Sequence, residues 1–91
     1  MDITEVKVYP TNEKKVKAYC SVVFDECFVI RDIKVIDGDK RLFVAMPNKT
    51  MKDGSHRDTA HPLTGEMRQK LESAVLDEYK KEMGEVLQYG G

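Results

Sequence analysis

The sequence predicts an α+β domain: an antiparallel β-sheet of four to five strands followed by one C-terminal amphipathic helix. Three observations carry this reading. Val16, Ala18, Cys20, Val22 and Phe24 alternate with Lys15, Lys17, Tyr19 and Ser21, the period-two signature of a half-buried strand. Cys27–Ile36 is a second run rich in Val and Ile. Met67, Leu71, Ala74, Val75, Tyr79 and Met83 then recur at spacings of three and four, which lines one face of a helix.

The elements follow in order. Ile3–Val8 forms the first strand, ended by Pro10, Thr11 and Asn12. Lys15–Phe24 is the second, and Asp25-Glu26 the tight turn into the third, Cys27–Ile36. With Asp25 and Glu26 as the two loop residues, Phe24 faces Cys27, Val22 faces Val29, Ala18 meets Ile33 and Val16 meets Val35. Arg31 then falls opposite Cys20, so either a bulge shifts the register or Arg31 reaches a partner from the sheet. Asp37-Gly38-Asp39 turns the chain into Leu42–Met46, stopped by Pro47, which has no N–H to donate.

Residues 47–62 read as irregular, with Asp53-Gly54 at a turn tip and a short strand at Arg57–Ala60 returning along the sheet. Thr64 is the expected helix N-cap, Glu66 suits the helix dipole, and Asp77 and Lys81 stand at i, i+4. Gly84 is the expected C-terminal stop, with a loose Tyr89-Gly90-Gly91 end. A single helix covers one sheet face. The other face or a free edge then needs a partner, a physical motive for a homodimer.

The 91 residues, 41% hydrophobic and 34% charged, suit one globular domain over 1–91 rather than a disordered chain. No apolar run is long enough to cross a membrane, and Met1-Asp2-Ile3-Thr4-Glu5 lacks the basic-then-apolar pattern of a signal peptide, so the expected location is the cytoplasm. Cys20 and Cys27 are expected to be reduced thiols. The net charge of −1 hides an uneven distribution. Residues 38–71 hold seven bases against four acids, whereas residues 72–91 hold two against five. A local positive field matters more to a phosphate than the total charge does.

Catalytic and cofactor chemistry finds little support. His56 and His61 lack the further ligands a metal needs, there is no phosphate-cradling glycine loop, and the acids at Asp37, Asp39 and Asp53 are turn residues. No enzyme, no cofactor, no metal and no small-molecule substrate is expected. The suggestive piece is the segment from Lys49 to Arg57. Lys49, Lys52 and Arg57 can neutralise phosphates, and Asn48, Thr50 and Ser55 can hydrogen-bond them. The same composition also suits an ordinary solvated loop.

Val29-Ile30-Arg31-Asp32-Ile33-Lys34-Val35-Ile36-Asp37-Gly38, Leu42-Phe43-Val44-Ala45-Met46-Pro47, Asp53-Gly54 and Arg57-Asp58-Thr59-Ala60-His61-Pro62 resemble the SpoVG family in order and spacing. The opening Met1–Val8 and the helix segment Ala74–Tyr79 resemble it too. The resemblance implies a small homodimer that binds DNA, and in some members RNA, to regulate gene expression. In spore formers this touches septation and sporulation; in others it touches surface, cell-wall and virulence genes. In the family's pattern a basic loop follows Ala-Met-Pro. Here Lys49 matches its first basic position and Arg57 the arginine before Asp58, while Thr50 stands where a second base is common and Lys52 where a proline is usual. The expected nucleic-acid surface is Lys49, Thr50, Lys52 and Arg57, with Arg68 and Lys70 near the helix start. The competing expectation is an adaptor that binds a protein of the division or envelope machinery.

Overall fold

The computed structural model describes residues 1–84 in full and the course of the last helix to Gly90. The elements run β1 (Ile3–Pro10), β2 (Val16–Phe24), β3 (Phe28–Asp37), β4 (Leu42–Ala45), β5 (Asn48–Thr50), β6 (His56–Asp58) and α1 (Gly65–Gly90). The first four strands form an antiparallel meander in the order β1-β2-β3-β4; β5 and β6 form a separate two-stranded ribbon. The expected α+β fold, with its antiparallel sheet and one C-terminal helix, is therefore present. The strand expected at Arg57–Ala60 begins earlier, at His56, and does not return along the main sheet. It pairs instead with Asn48–Thr50, a stretch expected to be irregular.

The alternation in β2 translates directly into packing. Ala18, Cys20, Val22 and Phe24 are buried, joined by Ile33, Val35, Val44 and Met46 from the neighbouring strands. Leu71, Val75 and Tyr79 of α1 close the core from one side. Each buried Val, Leu, Ile, Phe or Met side chain among them stabilises the fold by about 1.5–3 kcal/mol. Met67 packs at the margin, Met83 lies at the exposed end of the stripe, and Leu76, outside the expected stripe, also touches the core. Both cysteines are free thiols, Cys20 buried in β2 and Cys27 exposed in the β2–β3 turn. Burial pushes the Cys20 thiol up to about 11.

The β2–β3 register departs from the one expected. Asp25 and Glu26 do occupy the turn, both at positive φ, and the Cys27 N–H donates to the Phe24 carbonyl. Cys27 is nevertheless an extra residue, so the ladder resumes at Phe24↔Phe28 and Val22↔Ile30 rather than at Phe24–Cys27 and Val22–Val29. A second shift lies between Val22↔Ile30 and Cys20↔Ile33, where β3 takes three steps to β2's two. This bulge, with Asp32 at φ 62, settles the alternative left by Arg31: Cys20 faces Ile33, and the two extra-polar residues sit opposite Ser21. Ala18 consequently meets Val35, and a further shift, where β2 takes two steps to β3's one, sets Val16 opposite Ile36.

Gly38 holds the β3–β4 turn, its N–H donating to the Arg41 carbonyl at 3.0 Å. A Cβ there would lie 2.7 Å from that oxygen and 3.1 Å from the Phe43 ring, so the site requires glycine. Thr64 caps α1 as expected, its hydroxyl accepting the Met67 N–H at 3.1 Å. Gly84 does not stop the helix. It is absent from the positive-φ glycines, and no proline follows to enforce a break. Among the described residues the i, i+4 ion pair that forms is Arg68–Glu72, at 3.2 Å, whereas Asp77 and Lys81 do not pair. The expectation for Tyr89-Gly90-Gly91 lies outside the fully described residues.

Candidate nucleic-acid interface

Pro47 ends the main sheet, and the chain then folds back on itself over twelve residues. Asn48 pairs with Asp58, Lys49 with Arg57 and Thr50 with His56. The tip is a three-residue loop, Lys52-Asp53-Gly54. The Gly54 N–H donates to the Met51 carbonyl at 3.0 Å, and the Met51 N–H to the Ser55 carbonyl at 2.7 Å. Gly54 lies at φ 89, where a side chain is strained; this is a turn followed by a left-handed glycine, a recurrent hairpin closure. Asp53 ties the tip together by accepting the Ser55 N–H at 2.9 Å and the Ser55 hydroxyl at 2.6 Å. Those bonds, the hydroxyl first, hold the Asp53 carboxyl below the usual carboxylate range. At the base, the Thr59 N–H donates to the Pro47 carbonyl at 2.8 Å, and the Thr59 hydroxyl donates to the same oxygen.

Every residue of β5 and β6 is exposed. Because alternate residues of a strand face opposite ways, Lys49 and Arg57 share one face of the ribbon. Thr50 and His56 share the other, with the Thr50 hydroxyl 3.3 Å from His56 Nδ1. Like charges directly opposite one another across a ladder repel. No carboxylate pairs with Lys49, Lys52 or Arg57 among the described residues. The ribbon thus brings two of the expected basic residues side by side and places the third, Lys52, at the tip, with Thr50 next to Lys49.

Arg68 and Lys70 are placed differently. Arg68 is bound to Glu72, and Lys70 anchors the N-terminus, donating to the Met1 carbonyl at 3.0 Å and lying 3.8 Å from Asp2. Both are engaged within the fold. What the sequence did not reveal was the cross-strand geometry. The available signal was Asp53-Gly54 with three residues of possible strand on either side, too short to show a period. Among the described residues no three His, Cys, Asp or Glu side chains gather as a metal site would require, and no helix is long and apolar enough to cross a membrane. His61 Nδ1 is 2.9 Å from the Pro62 carbonyl, and His56 faces Thr50.

A small antiparallel meander backed by one helix, with an exposed basic ribbon between the two, defines the class: a compact α+β domain whose polar chemistry lies on its surface. The SpoVG family model matches residues 1–81. Relatives bearing the name "Putative septation protein SpoVG" are similar over nearly the whole chain. That of Anaeromyxobacter sp. (strain K) is 54% identical over 83 residues, covering 91% of this chain and 82% of the relative. That of Bdellovibrio bacteriovorus is 54% identical over 90 residues, covering 96% and 83%. That of Thermoanaerobacter sp. (strain X514) is 50% identical over 82 residues, covering 89% of each chain. The chain belongs to the SpoVG family.

Proposed function

We propose that this chain is a non-enzymatic cytoplasmic regulator that binds nucleic acid, DNA foremost and RNA as a second target, through the β5–β6 ribbon. The observation that carries the reading is the Lys49–Arg57 cross-strand pair. Two exposed cations held opposite each other gain from a shared anion, and a phosphate supplies one. A two-stranded ribbon also fits the major groove of a duplex, about 12 Å wide. Lys49, Lys52 and Arg57 make the phosphate contacts, and Thr50 adds a hydrogen bond. Arg68 and Lys70 contribute to the general field rather than direct contacts, since each already has a partner.

The active species is a homodimer. β1 and β4 are the two free edges of the sheet, and pairing one of them with a second copy satisfies its backbone groups. Two ribbons per assembly double the phosphate contacts. The septation named in the relatives is the process such a regulator serves, through genes of division, surface or virulence.

The test is fluorescence anisotropy with a labelled duplex and a labelled RNA, using the wild-type chain and a K49A/K52A/R57A variant shown by circular dichroism to be folded. Binding by the wild type that the variant loses supports the proposal. A folded, dimeric wild type that binds neither probe, and instead retains one protein stoichiometrically in a pull-down, establishes the adaptor reading in its place.

A further inference from the structure

The face of the main sheet opposite α1 carries a second cluster. Tyr9, Tyr19, Lys34 and Ala45 lie in one row across the four strands. In the adjoining row Lys7 pairs with Ser21, and beyond Ser21 lies the β3 bulge. In a regular strand Arg31 and Asp32 would point to opposite faces, driving one charge into the core. The bulge, with Asp32 in the left-handed region, lets both line one cavity. That cavity, about 240 Å³, is bounded by Tyr9, Tyr19, Cys20, Ser21, Arg31 and Asp32. A left-handed non-glycine residue costs about 1–2 kcal/mol, and such strain clusters at binding sites.

Three features define the ligand this cavity fits. Tyr9 is 56% exposed at the rim of the cavity, and the Tyr19 hydroxyl donates to Glu13 at 3.2 Å, which restrains its ring. Neither Arg31 nor Asp32 pairs with another charged side chain among the described residues. The volume lies below that of a drug-sized pocket, which suits a single planar ring system. Aromatic faces beside free hydrogen-bonding groups are how proteins take up unpaired bases. An ionised carboxylate only accepts hydrogen bonds. Guanine alone among the common bases presents two adjacent donors, N1–H and the N2 amino group, on its pairing edge; the others set an acceptor beside their donor.

We propose that this cavity binds one unpaired guanine of a single-stranded nucleic acid, stacked on Tyr9, with its pairing edge on Asp32 and its flanking phosphates on Arg31 and Lys7. The proposal rests on the nucleic-acid reading above and adds a base-specific site to the ribbon's phosphate contacts. It gives the assembly two modes: the ribbon grips backbone, and the sheet face reads one base where strands are open.

The experiment compares two labelled single strands of about ten bases, one all thymine and one with a central guanine, by anisotropy. The guanine strand should bind about tenfold tighter, the scale of a bidentate base contact. Replacing that guanine with inosine, which lacks the N2 amino group, should remove most of the gain. Asp32→Asn should bring the two strands together, and Tyr9→Ala, which removes a stacking surface any base can use, should weaken both strands. Asparagine tolerates the left-handed backbone, so Asp32→Asn keeps the fold, which an unchanged melting temperature verifies. Wild type binding both strands equally overturns the guanine site and leaves the ribbon reading intact. Wild type binding a labelled duplex but neither single strand also overturns the guanine site alone; wild type binding neither the strands nor the duplex overturns both.

Discussion

If Lys49, Lys52 and Arg57 each neutralise a phosphate, their removal must appear in the salt dependence and not only in affinity. Each contact contributes about 0.9 to the slope of log affinity against log salt on duplex DNA. Removing one, two and then three should flatten the slope in steps of about 0.9, to a total of about 2.7 per ribbon. Between 50 and 200 mM salt, three such contacts account for roughly 40-fold in affinity per ribbon, and one for about 3.5-fold. A dimer that engages both ribbons doubles the change in slope. The assay is anisotropy with a labelled duplex at four salt concentrations, for the wild type and for K49A, K49A/R57A and K49A/K52A/R57A. The refuting result is a triple variant with weaker binding but an unchanged slope. That pattern would mean the three side chains shape the ribbon and other residues hold the phosphates. Arg68→Ala gives a contrast: with its guanidinium already on Glu72, it should change the slope by clearly less than 0.9.

Three further outcomes follow from the packing and the side-chain chemistry. Leu71→Ala, at a site only 2% exposed, should destabilise the fold by about 2–5 kcal/mol, seen as a lower urea midpoint with unchanged m. Asp53 has a lowered carboxyl pKa, so its grip on Ser55 is complete above the ordinary aspartate range and is lost as pH falls through the lowered value. The Ser55 amide resonance should accordingly titrate with a midpoint below the ordinary aspartate range; a midpoint within or above that range would contradict the capped tip. A thiol reagent at neutral pH should label Cys27 at once and Cys20 only on unfolding, since Cys20 is buried with its thiol pushed up to about 11.

The elements were legible where a period had room to repeat. β2 alternates over nine residues, and its buried residues are those the pattern marks except Val16, which is half-buried. The Thr64 cap and the stripe through Leu71, Val75 and Tyr79 were equally plain. Register was not, because it turns on single residues in unusual backbone states. Cys27 as an extra loop residue and Asp32 at positive φ each move the pairing, and neither residue type announces a bulge as glycine does. Arg31 opposite Cys20 was the visible symptom: a charge in a core row signals that the register is wrong. Gly84 misled in the opposite sense, as one glycine costs a helix only about 1 kcal/mol and does not by itself end it.

The site was legible in composition and hidden in geometry. Lys49, Lys52 and Arg57 stood out as bases in an exposed segment, but β5 and β6 are three residues each, too short for alternation to be read. That Lys49 lies opposite Arg57 depends on the three-residue loop closed by Gly54. The charges of Arg68 and Lys70 looked available in sequence because their partners, Glu72 and the N-terminal segment, are chosen by helix geometry and tertiary packing. The sheet-face cavity was invisible for the same reason as the register, since the Asp32 bulge creates it.

The most direct test of the ribbon as a nucleic-acid surface is selection from a mixed pool of DNA and RNA fragments at about 150 mM salt, near physiological ionic strength. The retained fragments are sequenced for the wild type and for K49A/K52A/R57A. Enrichment by the wild type of fragments that the folded variant fails to retain is the predicted result. Equal retention by both, or retention of nothing by a folded wild-type dimer, would contradict it.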